Sequence, residues 1–207
     1  MKIEVFETPF PYIRIFDLYE ENELKLIWEE LEFILNDRII SGPEVTGSAT
    51  DDENNFLKKN KGIFLDELYS DRNTSNILTL NRKVFINLAH ISNQSNFWLF
   101  KKSLISANWD TTLISYYENS DHYKKHSDIS EFTCLTWFFK KPKKFSGGDL
   151  IFPDFNFKIE VEDNSFILFP SGIEHEVSEV KMNPENMGKK MGRVCMSQFM
   201  GHGMVVK

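Results

Sequence analysis

Residues 123–128 read Tyr-Lys-Lys-His-Ser-Asp, and this stretch places two potential metal ligands, His126 and Asp128, two positions apart. Alternate side chains of an extended strand point to the same face, so both are predicted to reach one ion. His175 lies 47 residues after Asp128. Two imidazoles and one carboxylate are a donor set that suits Fe(II) and leaves other coordination positions open. The tripeptide alone is a short motif that often occurs by chance, so its surroundings decide the interpretation.

The sequence around each candidate ligand predicts short β-strands. Residues 113–117 (Leu-Ile-Ser-Tyr-Tyr) have the apolar and aromatic character of a strand. Residues 166–177 predict a buried strand, a Pro-Gly turn and a second strand that His175 enters. Between these segments, Gly147-Gly148 indicates a hairpin-type turn. This pattern predicts a mainly β fold with supporting helices, a double-stranded β-helix (jelly roll), whose open mouth offers strand-end positions for the ligands.

Further motifs surround the three candidate ligands at characteristic positions. They are Tyr116, Tyr123 in Tyr-x-x-His-x-Asp, Gly147-Gly148, Phe152-Pro153, His175-Glu176-Val177, and Arg193 after Met191-Gly192. With these motifs, residues 112–201 resemble the catalytic core of the Fe(II)/2-oxoglutarate-dependent dioxygenases, in particular the prolyl 4-hydroxylase-like branch. The resemblance covers under half of the chain, and the motifs together are far more specific than the tripeptide alone.

The resemblance implies an activity and a role for each ligand. His126, Asp128 and His175 would bind Fe(II), with 2-oxoglutarate as co-substrate and O2 as oxidant, and the products would include succinate and CO2. The related halogenases lack the carboxylate ligand, so an intact Asp128 favours hydroxylation. The prolyl hydroxylase-like motifs imply a peptidyl or free proline, or another amino-acid-like molecule, as the substrate. Fold and metal motif do not by themselves fix the substrate.

Three further residues are predicted to bind the co-substrate. Arg193 leads into an apolar strand, and a buried guanidinium needs an anion. The far carboxylate of 2-oxoglutarate matches its bidentate geometry. Tyr116 is predicted as a second co-substrate contact, with core packing as the alternative. Tyr123 is predicted either to line the site or to pack in the core.

The sequence departs from the family pattern at two places. Arg193 lies 18 positions after His175, farther than the family usually places its basic residue, and residues 181–192 look like an inserted surface loop that accounts for the difference. The family often has Tyr-Leu-Asn after the first ligands, where this chain has Phe138-Phe139-Lys140. A tyrosine hydroxyl that binds the co-substrate in relatives is therefore absent from that strand.

The whole chain, 1–207, is predicted to form one oxygenase domain. Residues 1–111 are interpreted as supporting strands and helices, with one helix from Asn22 and a second from after Ser75 to about Ile91. Residues 112–201 form the predicted catalytic core. Residues 41–62 are long, polar and rich in turn-forming residues, and are predicted to be either a mobile substrate lid or a plain surface loop.

Composition limits the classes of partner. The 207 residues are 41% hydrophobic and can bury one core. The net charge of −7 argues against a dedicated nucleic-acid surface. No apolar run approaches the roughly 20 residues that span a bilayer. Cys134 and Cys195 lie in apolar strand patterns, which predicts buried, reduced thiols and a cytoplasmic protein. We therefore expect a small-molecule or peptide substrate and no membrane partner; the oligomeric state stays open.

Three alternatives remain. An AlkB-type nucleic-acid demethylase shares the ligand triad, but it carries a second arginine six residues after the first, where this chain has Phe199. A metal-binding cupin would show His-x-His with a nearby glutamate instead of His-x-Asp with a distant histidine. A non-catalytic jelly-roll module would be expected to have lost a ligand, and this chain keeps all three.

Overall fold

The structure, a computed structural model, describes residues 1–203, apart from the side chains of residues 88 and 89. Residues 204–207 of the predicted domain lie outside the described residues. The strands are β1 (Lys2–Phe6), β2 (Tyr12–Phe16), β3 (Lys58–Lys59), β4 (Lys61–Phe64), β5 (Trp109–Tyr117), β6 (His122–His126), β7 (Phe132–Phe138), β8 (Phe145–Ser146), β9 (Leu150–Phe152), β10 (Phe157–Ile159), β11 (Ser165–Pro170), β12 (His175–Val177), β13 (Lys181–Met182) and β14 (Arg193–Gly201). The helices are α1 (Glu21–Ile34), α2 (Pro43–Thr46), α3 (Leu65–Leu68), α4 (Asn76–Leu80), α5 (Arg82–Ile86), α6 (Leu88–Asn93) and α7 (Trp98–Lys102).

The strands form two larger sheets and one small one. The seven-stranded sheet has the order β1-β2-β11-β7-β14-β5-β4, and the five-stranded sheet has the order β10-β9-β12-β6-β3. The third sheet pairs β13 with β8. Neighbouring strands run antiparallel throughout these described pairings. The prediction of a mainly β fold with supporting helices is confirmed.

Two apolar cores lie on opposite faces of the seven-stranded sheet. The first joins that sheet to the helices and includes Leu31 of α1 and Phe138 of β7. The second joins it to the five-stranded sheet and includes Trp137 of β7 and Phe152 of β9. Alternate residues of β7 enter different cores because successive side chains of a strand point to opposite faces. The helices thus cover one face of the large sheet, and its other face is directed towards the strands that carry the histidines.

The two predicted N-terminal helices have different outcomes. The first is confirmed as α1, which begins at Glu21. The second begins as predicted after Ser75, whose hydroxyl accepts a hydrogen bond from the Leu78 amide, but it is divided into α4, α5 and α6. Asn81, at the first junction, donates from its side chain to Thr112 of β5 at 2.7 Å. This contact with the sheet lies at the junction between α4 and α5, and hydrophobic periodicity alone does not indicate it.

Residues 41–62 form a long connection between α1 and β4 that packs beside β6, the strand that carries His126. The two ends of this connection are joined by an antiparallel bridge between Ser41 and Gly62. The short helix α2 lies between them. At the end of the connection, β3 pairs with β6, with Lys58 opposite Tyr123. The segment therefore contains regular structure, and its predicted motion as a lid stays a prediction.

Two predictions concerned the state of the cysteines and the absence of a membrane-spanning segment. Cys134 and Cys195 are free and buried, as predicted from their apolar surroundings, and burial raises the pKa of both thiols. Across the described part of the chain, every helix is too short or too polar to traverse a lipid bilayer.

Candidate metal centre

The three predicted ligands converge at the ends of two adjacent strands. His126 ends β6, His175 begins β12, and the two residues are directly paired across these antiparallel strands. One potential ligand atom from each of His126, Asp128 and His175 lies within 4.8 Å of the others. The carboxylate of Asp128 lies 3.9 Å from Nε2 of His126 and 3.5 Å from Nε2 of His175. The three groups are close enough together to hold one metal ion, and two histidines with one carboxylate are a donor set for a divalent first-row metal.

Backbone contacts orient both imidazoles. Nδ1 of His126 lies 2.8 Å from the carbonyl oxygen of Lys124, and Nδ1 of His175 lies 2.9 Å from that of Ile173. A carbonyl oxygen only accepts, so each Nδ1 carries a proton, and in the neutral form of such an imidazole Nε2 is the nitrogen that can bind a metal. Burial, reinforced by the neighbouring His175, lowers the pKa of His126 to about 3. His126 is therefore neutral at physiological pH, as a metal ligand must be.

Hydroxyl groups from neighbouring elements orient the carboxylate ligand. Thr133 Oγ1 donates to Asp128 Oδ2 at 2.6 Å and lies 2.9 Å from the hydroxyl of Ser171. The Ser171 hydroxyl lies 2.8 Å from that of Ser130, and the Asp128 amide donates to the Ser171 carbonyl oxygen at 3.1 Å. Such contacts hold a ligating carboxylate in place, and their loss typically lowers metal affinity or activity 10–100-fold.

Arg193 lies in the same cavity as the three ligands. It is the first residue of β14 and it is fully buried. None of its guanidinium nitrogens has a hydrogen-bond partner among the described residues, although His126, Asp128 and His175 line the same cavity. A buried, unpaired guanidinium is costly. The site therefore fits a co-substrate that brings an anionic group to Arg193 while it reaches the metal position.

Of the two adjacent tyrosines at the end of β5, Tyr117 faces this cavity. Tyr117 is paired with Arg193 across β5 and β14, and the guanidinium carbon lies 4.7 Å from the tyrosine ring centroid. Tyr116 points to the opposite face, where its hydroxyl donates to Glu118 at 2.7 Å and accepts from the Gly192 amide at 3.1 Å. The position of Tyr116 therefore does not support its predicted contact with the co-substrate. Successive side chains of β5 point to opposite faces, and Tyr117, not Tyr116, lines this cavity.

Tyr123 lines the cavity and packs on a metal ligand. Its ring stacks on His126 with 3.5 Å between the ring centroids and an interplanar angle of 11°. Its hydroxyl accepts a hydrogen bond from the Ala49 amide at 3.2 Å, and burial raises its pKa. Tyr123 thus connects segment 41–62 to the metal centre, and its contact with the co-substrate stays a prediction.

Lys58 and Asn60 also line the cavity, and no sequence pattern indicated them. Lys58 is only 4% exposed, and Asn60 is 5% exposed. Burial lowers the pKa of Lys58 to about 8, while the negative charge of Asp128 acts in the opposite direction. In the sequence, Lys58-Lys59 resembles a pair of solvated surface charges. Only the pairing of β3 with β6 brings Lys58 next to the ligands.

The Gly147-Gly148 pair has a different role from the predicted hairpin turn. β8 pairs with β13, whereas β9 pairs with β10 and β12, so these glycines do not close a hairpin. Gly148 has a φ of +71°, and a Cβ at this position would lie 2.7 Å from Cδ of Arg193. Because Gly148 has no side chain, the space that the Arg193 side chain occupies on its way into the cavity stays free.

We expect Gly148→Ala to displace Arg193 and to weaken binding of 2-oxoglutarate. The new methyl group would clash with Arg193 and require a backbone conformation that favours glycine. Because the ligand residues do not move, affinity for Mn(II) should stay within about twofold, a difference well under 1 kcal/mol. Isothermal titration with each ligand measures the two effects separately.

Gly172→Ala is the matched control for this substitution. A Cβ at Gly172 would have no neighbour within 4 Å, although the residue lies in the turn just before His175. This variant should bind 2-oxoglutarate as the unmodified protein does. Equal affinities of the two alanine variants would show that Gly148 does not position Arg193.

Comparison with known proteins identifies the fold. The structure is similar to that of a Pseudomonas putida prolyl-4-hydroxylase, with 11% identity, a TM-score of 0.59 and 93% of each chain covered. It is also similar to the viral collagen prolyl hydroxylase vCPH of Paramecium Bursaria Chlorella virus-1, in a 2OG complex, with 12% identity, a TM-score of 0.56, and 91% of this chain and 94% of that chain covered. The structure named OsALKBH1 has 10% identity, a TM-score of 0.55, and 97% of this chain and 100% of that chain covered. No family model and no curated protein matches the sequence.

These similarities confirm the predicted resemblance at the level of the fold. The chain has the fold of the 2-oxoglutarate/Fe(II) oxygenases, including prolyl 4-hydroxylases. Sequence identities of 10–12% support a conclusion about the fold only, because proteins of one fold act on different substrates and catalyse different reactions. The chemistry of this chain has to be argued from its own site.

Proposed function

We propose that the protein is an Fe(II)- and 2-oxoglutarate-dependent dioxygenase that hydroxylates its substrate and releases succinate and CO2. The observation that carries the proposal is the fully buried Arg193, which has no partner for its guanidinium and shares one cavity with the His126, Asp128 and His175 cluster. A dianion that chelates a metal at one end and pairs with Arg193 at the other would account for both the unpartnered guanidinium and the neighbouring ligand cluster. Among common metabolites, 2-oxoglutarate has this chemistry.

Each residue of the site has a distinct task in this reaction. His126 and His175 would each offer Nε2 as a ligand, and Asp128 would add one negative charge, so that the three would hold Fe(II) and leave one net positive charge on the centre. When bound, Fe(II) and 2-oxoglutarate supply the chemistry that activates O2. Arg193 anchors the far carboxylate of the co-substrate and thereby sets its orientation. The aromatic walls, Tyr117 and Tyr123, exclude water from the reacting groups.

The finer parts of the proposal concern architecture and substrate. We interpret the two larger sheets as the two sides of a double-stranded β-helix, with the metal site at its mouth. A peptidyl or free proline, or another amino-acid-like molecule, is the proposed substrate, as the prolyl hydroxylase-like motifs imply. We interpret residues 41–62 as a lid, since the inner cavity of about 40 Å³ has room for one or two water molecules and not for a five-carbon dicarboxylate.

An AlkB-type demethylase is the second candidate, favoured by the shared fold of OsALKBH1. Against it stand the net charge of −7 and the absence of a second arginine where this chain has Phe199. Phe199 lines the inner cavity together with Arg193. A phenylalanine there cannot supply the additional cationic contact of that family.

Succinate formation tests the proposed activity. The purified protein, incubated with Fe(II), ascorbate and 2-oxoglutarate, is expected to release succinate slowly without a primary substrate and faster with a suitable one. The panel would contain proline peptides, free amino acids and methylated oligonucleotides. Stimulation by the oligonucleotides alone would favour the demethylase. If intrinsic fluorescence detected metal binding but no 2-oxoglutarate binding, a non-catalytic metal-binding module of jelly-roll or cupin type would be the better description.

A further inference from the structure

A second buried cation, Lys58, enters the metal cavity from the strand β3. Its side chain lies among the cavity-lining groups with the three ligands and Arg193. Its only described hydrogen bond is a long one, 3.4 Å from Nζ to the carbonyl oxygen of Thr46, and Nζ lies 5.6 Å from the ring centroid of Tyr123. Within the described residues, Lys58 forms no ion pair with a carboxylate. A buried ammonium group in this setting lacks a counter-ion.

The charges of the loaded site leave one positive charge without a partner. Among the residues that the structure describes, Asp128 is the only acidic one lining the inner cavity, and it offsets half of the charge of a divalent metal. The two carboxylates of 2-oxoglutarate offset the rest of the metal charge and that of Arg193. The charge of Lys58 remains. A ligand that enters after the co-substrate is therefore favoured if it carries a single negative charge.

The neighbourhood of Lys58 also offers a polar partner and space. Asn60 lies two positions further along the chain, and its buried Oδ1 has no hydrogen-bond partner among the described residues. Lys58 and Asn60 line both the inner cavity and a second cavity of about 620 Å³. That volume is in the range of small-molecule sites, roughly 300–1,000 Å³. The two residues thus lie where a substrate held in the larger cavity would approach the metal.

We propose that Lys58 binds a carboxylate of the primary substrate, so that the enzyme acts on small carboxylic acids such as free or N-acylated amino acids, in preference to internal peptide residues. This inference rests on the proposed function and names its substrate class. A monoanionic carboxylate matches the single surplus charge, and it accepts hydrogen bonds from an ammonium group. The unpartnered oxygen of Asn60 can accept a hydrogen bond from the amine or amide N–H next to such a carboxylate.

Matched ligand pairs test this assignment by binding alone. The protein is saturated with Mn(II) and 2-oxoglutarate without O2, then titrated with L-proline and L-prolinamide, and with N-acetyl-L-proline and N-acetyl-L-prolinamide. Dimethyl phosphate serves as a phosphodiester probe. In the unmodified protein we expect at least one carboxylate to bind about tenfold or more tightly than its amide, as one desolvated charge pair provides. Lys58→Met should remove this preference without changing the affinity for 2-oxoglutarate by more than about twofold.

Lys59→Met is the matched control: Lys59 also lines the larger cavity, but its side chain is 58% exposed and already pairs with Asp121. It should keep the carboxylate preference, and Lys58→Arg should retain part of it. Lys58→Gln is an independent variant if the methionine variant does not fold.

Several results would overturn the assignment. They are equal affinities for acids and amides, tighter binding of the phosphodiester, failure of every carboxylate to bind the loaded protein, or a loss of 2-oxoglutarate affinity in Lys58→Met as large as that in an Arg193 variant. The proposed function fails separately, if the unmodified protein does not bind 2-oxoglutarate in the first titration.

Discussion

His126→Ala is expected to abolish turnover of 2-oxoglutarate and to weaken metal binding by at least about 100-fold, because loss even of a group that only orients a ligand costs 10–100-fold. The substitution removes one of the two Nε2 donors near Asp128. Metal titration followed by intrinsic fluorescence measures the affinity, and succinate formation measures turnover. The unmodified protein should also gain thermal stability when Mn(II) is added, because the metal binds only the folded state. The variant should not.

His122→Ala is the control for that experiment. His122 lies on the same strand as His126, but its Nδ1 contacts the carbonyl oxygen of Ser120 and its side chain does not line the inner cavity. It should keep metal affinity and turnover. If His126→Ala bound Mn(II) as tightly as His122→Ala does, the His126, Asp128 and His175 cluster would not be the metal site.

The grouping of the three candidate ligands was predictable from the sequence because its determinants are mostly local. His126 ends β6 and Asp128 lies two residues later, so the alternation of side chains along an extended chain was enough to predict that both reach one ion. His175 follows a turn whose Pro-Gly sequence is itself recognisable. Arg193 could be identified because a charged residue at the start of an apolar strand requires a buried partner. In each case, neighbouring residues in the chain carry the signal.

Two other parts of the site depend on partners that are distant in the sequence. Tyr116 and Tyr117 are adjacent and chemically identical, and only the pairing of Tyr117 with Arg193 decides which of them faces the cavity. A register difference of one residue exchanges the two faces of a strand. Lys58 lies on a two-residue strand whose position depends on pairing with β6. Such a short strand has too few side chains for a detectable hydrophobic pattern.

Arg193→Met is expected to have the second large effect, a selective loss of affinity for 2-oxoglutarate. Removing one partner of a buried, charge-assisted pair costs about 2–5 kcal/mol, which corresponds to a loss of affinity of roughly 30-fold to several thousandfold. The arginine is not a metal ligand, so affinity for Mn(II) should change little. Anaerobic titration calorimetry with metal and co-substrate in turn separates the two.

The stability of the same variant provides an independent measurement. The unmodified protein buries a guanidinium with no hydrogen-bond partner among the described residues, which destabilises the fold in the absence of an anion. Methionine has a similar length and no charge, so the unfolding temperature of Arg193→Met without 2-oxoglutarate should equal or exceed that of the unmodified protein. A co-substrate at 100 times its Kd stabilises a folded protein by about 2.7 kcal/mol. This stabilisation should be present in the unmodified protein and absent from the variant.

The lysines of the preceding loop distinguish a specific contact from a general effect of charge. Lys189 is exposed. Lys190 lines the larger cavity but not the inner one, and it donates to Glu32 Oε2 at 3.1 Å. Lys189→Met and Lys190→Met each remove one positive charge, as Arg193→Met does, but they should bind 2-oxoglutarate normally. The opposite result, with a lysine variant losing the co-substrate and Arg193→Met retaining it, would mean that the segment between β13 and β14, residues 183–192, supplies the anion-binding group. Because Arg193 begins a strand paired on both sides, its guanidinium has the fixed position that recognition of a carboxylate requires.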